Sequence, residues 1–142
     1  MNKVSIIPIM NLPEFDTGHE IVEELIESLK ENKISLEDSD VIVITQKIIS
    51  KVEGRKIDIN KEDIEEVIKS ESLQIIRKRG ETVIAKTKHG FICANAGIDK
   101  SNIEEGSALL LPEDPDKTSR DIRKKIEHKT GKKISVIICD TF

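Results

Sequence analysis

Two stretches of the chain repeat their apolar residues at helical spacing. In residues 17–33 the acids come early and the lysines late, as the helix dipole favours. The apolar positions of this stretch share one face: Ile21, Val22, Leu25, Ile26 and Leu29. We predict a helix here with Thr17 as its N-cap, and another from about residue 118 to 129 that ends near Gly131.

Two shorter helices are predicted between these. The stretch QKIISKVEGR indicates a short helix whose end is marked by Gly54. The stretch NKEDIEEVIKSES predicts an amphipathic helix with Asn60 as candidate N-cap. Its apolar face consists of Ile64, Val67 and Ile68.

Several short apolar runs predict strands. They are KVSIIPIM, VIVIT, LQIIRKR, TVIAKTK, GFICANAG, SALLLP and ISVIICD, with turns predicted at LEDSD and PEDPD. VIVIT is continuously apolar, which is typical of a strand buried on both faces. Pro8 restricts the first run to a short or edge strand, and Gly80 indicates a hairpin between the third and fourth.

Helices and strands are interleaved without a strict βαβ repeat. We therefore predict a single domain over residues 1–142 with an α+β (mixed α/β) fold, in which helices flank a mixed β-sheet. The sequence contains neither a P-loop GxxxxGK[ST] nor a GxGxxG dinucleotide fingerprint.

The amino-acid composition limits the classes of molecule that the protein is expected to bind. The 142 residues carry a formal net charge of −4 and include three Phe but no Trp or Tyr, which argues against a nucleic-acid partner. The two cysteines, Cys93 and Cys139, stand in apolar runs and suggest buried thiols. Without a signal peptide or a membrane-length apolar stretch, the expected location is the cytoplasm.

Polar residues follow two of the predicted strands directly. Gln46 and Lys47 follow VIVIT, and Asp140 and Thr141 follow ISVIIC. Strand ends are where α/β sheets bind ligands, and a carboxylate next to a hydroxyl suits a hard divalent cation. The alternative is that Asp140 and Thr141 only cap the next element.

A second carboxylate, Asp99, lies in the Gly-bearing loop NAGIDKSN. Because this loop also follows an apolar strand, Asp99 and Asp140 together would form a plausible metal clamp. The alternative is an Asx-turn in which Asp99 and Asn102 bond their own backbone.

Lys47 and Lys51 lie four residues apart and share a face if QKIISK is helical. Two such cations just after a strand make a phosphate site plausible. The alternative is a solvated cationic face that pairs with Glu53 or a neighbouring acid.

Five stretches, taken in order, resemble one known family, the coenzyme F420-0:L-glutamate ligases. They are NLPEF, TQKIISKVEGR, HGFICANAGIDKSN, ALLLPEDPDKTSRDIR and VIICDTF. The resemblance implies a GTP-dependent ligase that needs Mg or Mn, is stimulated by K, and forms homodimers. It also implies that GTP activates a carboxylate of the deazaflavin precursor F420-0 as an acyl phosphate, which the amine of L-glutamate then attacks.

The resemblance also implies roles for individual residues. The positions that match the guanine nucleotide site are Leu12, Pro13, Glu14, Phe15, Gln46, Lys47, Lys51 and Asn102. Asp99 and Asp140 match one divalent-metal site, and Thr141 matches a ligand of a second.

The sequence departs from the family pattern in two places. Asn11 stands where relatives usually have Gly, a mild change because Asn tolerates left-handed backbone. Family chains also continue past DTF with a Gly/Arg-rich stretch and a further acidic metal ligand, so the resemblance covers the N-terminal portion. The alternative function is a non-catalytic nucleotide-binding or structural domain that shares the ligase fold.

Overall fold

The structure is a computed structural model that describes residues 3–100 and 106–140. The predicted site residues Asn102 and Thr141 lie outside this part of the chain. The helices of the described residues are α1 (Ile21–Glu31), α2 (Gln46–Val52), α3 (Ile64–Ser70) and α4 (Pro115–Thr130). The strands are β1 (Val41–Thr45), β2 (Lys56–Asp58), β3 (Ser72–Arg79), β4 (Thr82–Thr87), β5 (Ile92–Ala94), β6 (Ser107–Leu109) and β7 (Ser135–Cys139).

The strands pair in three small sheets. β1 and β7 run parallel, β2 and β6 run antiparallel, and β3, β4 and β5 form an antiparallel meander. The mixed α/β class is thus confirmed, as is the hairpin at Gly80. Within the described residues, no helix is long and apolar enough to cross a membrane.

The main core lies between α1, β1 and α4. It consists of Val22, Leu25, Leu29, Ile42, Ile44, Ile49, Ile122, Ile126 and Ile134. A smaller cluster packs α3 against the meander and consists of Ile68, Val83, Ala85 and Ala96. The predicted apolar face of α1 therefore points into the core, and its burial supplies most of the stability of this helix.

Both predicted N-caps are wrong. The helix α1 begins at Ile21, and the Thr17 hydroxyl instead donates to the backbone carbonyl of Lys51 at 3.3 Å. The helix α3 is capped by Asp63, whose carboxylate accepts from the Glu65 backbone N–H at 3.0 Å. A cap must stand immediately before the first helical residue, and Asn60 lies three residues before Asp63.

The helix α4 starts three residues earlier than predicted, inside the expected PEDPD turn. Pro115 is its first residue and Asp114 is the N-cap, accepting from the Lys117 backbone N–H at 2.8 Å. Proline is favoured at this position because its missing N–H needs no partner in the first turn. As predicted, the helix ends at Gly131, which has a φ of 70°.

The first apolar run is not a strand. Residues 3–10 belong to no regular element, and Val4 and Ile6 are 87% and 94% exposed. Pro8 has no N–H to donate to a ladder, which disfavours a strand in this segment.

The prediction that VIVIT is buried on both faces is also wrong, since Val41 and Val43 are 52% and 61% exposed. Cys139 is exposed on β7, whereas Cys93 is buried as expected. We call the apolar surface formed by Val41, Val43 and Ile137 the open face.

Candidate functional site

The parallel pairing of β1 and β7 brings two of the predicted polar clusters to one edge. Thr45 lies level with Cys139, so the chain passes from this edge into Gln46 and Lys47 on one strand and into Asp140 on the other. Parallel neighbours end at the same side of a sheet, which is why residues far apart in sequence meet here.

Asp99 joins this edge through an ion pair with Lys47. The Lys47 ammonium lies 2.8 Å from the Asp99 carboxylate, and the two side chains are 25% and 21% exposed. The backbone of Asp99 is fixed by two hydrogen bonds with Leu109, at 2.9 and 2.8 Å. Sequence reasoning placed both residues in one site but did not anticipate that they pair with each other.

The loop before Asp99 has an unusual backbone. Asn95, Ala96 and Gly97 all have positive φ, at 49°, 54° and 74°. A Cβ at Gly97 would lie 2.8 Å from the Leu111 side chain, so both conformation and packing require glycine. Such strained backbone is common at ligand sites, where the surrounding structure holds it in place.

Asp140 lies close enough to the Cys93 thiol to affect its ionisation. Burial of the thiol, together with the negative charge of Asp140, raises the pKa of Cys93 above its ordinary value. Cys93 lies on β5, two residues before Asn95.

The early segment NLPEF packs against α2. Glu14 forms an ion pair with Lys51, and the backbone N–H of Gly18 donates to the Val52 carbonyl at 3.1 Å. Leu12 and Phe15 line a cavity of about 970 Å³ that also reaches Thr45 at the end of β1. Pro13 lies between them and is exposed.

Asn11 has a φ of 62°, so it adopts the left-handed backbone for which glycine is the usual choice. The sequence-based expectation that Asn tolerates this position is confirmed.

Gln46 is almost fully buried at the start of α2, with 3% of its surface exposed. Its Oε1 accepts a hydrogen bond from the Ser50 hydroxyl at 2.9 Å. Among the described residues, its Nε2 has no hydrogen-bond partner. Ser50 did not stand out in the sequence, although its spacing of four residues from Gln46 on a predicted helix could have indicated a contact.

Along α2, Lys47 forms an ion pair with Asp99, and Lys51, one turn later, forms one with Glu14. Gln46 is buried at the first position of this helix. The alternative interpretation allowed Lys47 and Lys51 to pair with Glu53 or a neighbouring acid, and both do pair with acids, although neither partner is Glu53. The two lysine side chains are only 25% and 22% exposed. Glu53 instead accepts from the Glu113 backbone N–H at 2.9 Å and the Thr118 hydroxyl at 2.8 Å.

The family model described as F420-0:Gamma-glutamyl ligase matches residues 9–142. The chain belongs to the F420-0:gamma-glutamyl ligase family. The resemblance inferred from the sequence motifs is thus confirmed.

Curated relatives in the ligase family support this assignment. The chain is 40% identical to a protein named Coenzyme F420:L-glutamate ligase from Methanocaldococcus jannaschii, over 98% of this chain and 60% of that protein. It is 36% identical to the protein of the same name from Methanothermobacter thermautotrophicus, over 97% of this chain and 62% of that protein. The chain therefore spans about three fifths of the length of these relatives.

Proposed function

We propose that this chain takes part in a GTP-dependent ligase reaction that joins L-glutamate by an amide bond to the side chain of F420-0. The observation that carries the proposal is the ion pair between Lys47, at the start of α2, and Asp99, in a chain of the ligase family. The proposal includes a cytoplasmic location and stimulation by K.

The reaction has two steps. A carboxylate of F420-0 attacks the γ-phosphorus of GTP, so that an acyl phosphate forms and GDP leaves. The amine of glutamate then attacks the acyl carbon, the carbon–oxygen bond to phosphate breaks, and inorganic phosphate departs as the amine loses a proton. Both steps depend on holding charged reactants in line, so positioning and charge neutralisation are the main tasks of the protein.

The lysines are suited to bind phosphate oxygens. In the structure Lys47 forms an ion pair with Asp99, and Lys51 forms one with Glu14. A triphosphate would offer both ammonium groups several charged acceptors at once, and its negative charge would replace that of the acids. Leu12 and Phe15 line an adjacent cavity that is mainly apolar, a surface that suits the purine ring.

The acids fit a divalent cation. Asp99 faces the Lys47 ammonium, and carboxylate oxygens are the ligands that Mg²⁺ and Mn²⁺ prefer. Asp99 and Asp140 would hold the ion, which when bound neutralises phosphate charge. No group of three or more His, Cys, Asp or Glu residues with metal-binding geometry occurs within residues 3–100 and 106–140. A two-acid site agrees with a cation that keeps water and phosphate oxygens as its other ligands.

The test is thermal unfolding of the chain with nucleotide and metal. GTP with Mn²⁺ should raise the melting temperature and ATP with Mn²⁺ should not, because a ligand stabilises the fold that binds it. The substitution Asp99→Ala should abolish the GTP shift, whereas Asp121→Ala on the exposed side of α4 should leave it intact. An unchanged GTP shift in Asp99→Ala would contradict the proposed metal site.

A homodimer is also part of the proposal. The open face leaves Val41, Val43 and Ile137 about half exposed on neighbouring strands, and contiguous apolar surface of this kind favours association. Sedimentation of the chain at micromolar concentration should give a dimer, and a monomer would reject this part of the proposal. Val43→Lys is the variant that should shift a dimer toward monomer.

The alternative function is a nucleotide-binding or structural domain without turnover. The ion pairs of Lys47 and Lys51 favour it, since they satisfy these charges without any ligand. Incubation of the chain with GTP, glutamate and F420-0 distinguishes the ligase function from these two non-catalytic functions. Nucleotide binding without glutamate incorporation indicates a binding domain, and the absence of both indicates a structural one.

A further inference from the structure

The buried amide of the Gln46 side chain has a hydrogen-bond partner for one of its two polar atoms only, within the described part of the chain. Gln46 is 3% exposed, and Ser50, one helical turn later, is 0% exposed. The Ser50 hydroxyl donates to Gln46 Oε1 at 2.9 Å, so the carbonyl half of the amide has its partner.

The other half of the amide has none within the described part of the chain. The buried Nε2 carries two hydrogens and finds no acceptor there. Leaving a buried N–H unpaired is costly, and an apolar side chain of similar shape would avoid the cost. A bound group that placed an acceptor oxygen beside Nε2 would remove this cost.

In the structure, Ser50 contacts the carbonyl half of the amide, which leaves the Nε2 half for another group. The oxygen and nitrogen ends of a glutamine amide have nearly the same shape, so packing alone does not select between them. With the carbonyl held by Ser50, the amide offers hydrogens to an incoming group and not a lone pair.

We propose that Ser50 is a positioning residue for nucleotide binding, which sets Gln46 to donate from Nε2 to an acceptor oxygen of the bound guanine nucleotide. This inference rests on the proposed function, in which Gln46 contacts GTP. Lys47 and Lys51, on the same helix, supply the charge for the phosphates, and the neutral amide adds a directional contact.

The experiment is a double-mutant cycle on GTP affinity in the presence of Mn²⁺, measured by calorimetry. The variants are Ser50→Ala, Gln46→Met and the two combined. Ser50→Ala should weaken GTP binding about tenfold, the equivalent of losing one well-placed hydrogen bond. In the Met background the same change should have no further effect on affinity, because Ser50 acts only through the amide.

A purely structural role for Ser50 would give a different result. It would lower the melting temperature of the unliganded protein and weaken GTP binding equally in both backgrounds, and this outcome overturns the proposal. Wild-type affinity in Ser50→Ala, with binding lost in Gln46→Met, also overturns it but leaves the nucleotide site standing. Failure of the wild-type chain to bind GTP removes the proposed function and this inference together.

A further variant tests the direction of the hydrogen bond without altering Ser50. In Gln46→Glu the carboxylate still accepts from the Ser50 hydroxyl but has no hydrogens to offer. GTP binding should be weakened at least as strongly as in Gln46→Met, because the added negative charge also repels the phosphates. Wild-type affinity in Gln46→Glu would overturn the proposal, even if Ser50→Ala fails to fold.

Discussion

The Lys47 ammonium and the Asp99 carboxylate lie 2.8 Å apart, half-buried, where β1 passes into α2. Lys47 follows β1 directly, while Asp99 lies in a loop held to β6 by backbone hydrogen bonds. Lys47 thus occupies the position of a counter-ion to an acid that we propose binds metal. A bound cation would have to compete with this lysine.

Replacement of Lys47 should change the affinities for metal and for nucleotide in opposite directions. In Lys47→Met, Mn²⁺ without nucleotide should bind about three- to tenfold more tightly, because the competing positive charge is gone. GTP should bind more weakly, since a phosphate contact is lost. Calorimetric titration with Mn²⁺ alone and then with GTP measures both. Lys117→Met on α4 is the control and should change neither affinity.

Gly97→Ala should destabilise the fold by about 2–5 kcal/mol, because it adds left-handed strain to a steric clash with Leu111. Gly90→Ala is the matched control. Gly90 has a φ of 90°, but a Cβ there meets nothing within 4 Å, so only the backbone term of about 1–2 kcal/mol applies. Urea unfolding of the two variants measures the difference. Equal losses would show that Leu111 moves aside.

Glu71→Ala should be strongly destabilising. The Glu71 carboxylate, 10% exposed, accepts from the Arg55 guanidinium at 2.6 Å, and removing it leaves a largely buried guanidinium with no opposite charge beside it, although its Nε still donates to the Leu111 carbonyl at 3.0 Å. The expected loss is about 3–5 kcal/mol. Glu66→Ala, which breaks an exposed pair with Lys69, should leave the unfolding midpoint unchanged. Denaturation in urea measures both, and a small effect of Glu71→Ala would mean that water enters the site.

The pKa of the Cys93 thiol should depend on the charge of Asp140. The folded-state pKa of Cys93 lies above that of the unfolded chain, so the unfolded state loses its proton first as the pH rises. Cys93 therefore stabilises the fold below the ordinary thiol pKa, and this contribution is lost as the pH rises through the higher folded-state value.

In Asp140→Asn the pKa of Cys93 should fall, because the repulsive charge is gone and only burial remains. The pH dependence of the reaction of Cys93 with a thiol reagent, in a Cys139→Ser background, measures the change. An identical profile in both proteins would place Asp140 too far away to matter. In the protein with Asp140 intact, added Mn²⁺ should lower the same pKa if the ion binds there.

Periodicity along the chain predicted the helices and strands well, because burial in a common core enforces it. The apolar positions of α1 are an example, since Val22, Leu25 and Leu29 are all buried. The N-caps were harder, because Thr17 and Asn60 are suitable residue types at positions where the helix has not yet begun. The strand β2 was not predicted, since three residues cannot display a period.

The sequence proposed the residues of the candidate site but not their contacts. Strand ends and family motifs identified Gln46, Lys47, Lys51 and Asp99. The pairing of Lys47 with Asp99 and of Lys51 with Glu14 depends on how distant segments pack, which no local pattern encodes. The roles of Asn102 and Thr141 stay predictions, because both lie outside the described residues.

The parallel pairing of β1 with β7 has a consequence for the order of folding. These strands are far apart along the chain, and closing so long a loop costs entropy before any contact is gained. We therefore expect α1 and the antiparallel meander to form early and this pair to form late. A ribosome-bound chain would display Lys47 and Lys51 well before Asp140 emerges, so the edge that joins β1 and β7 would form only after the later strand has been made.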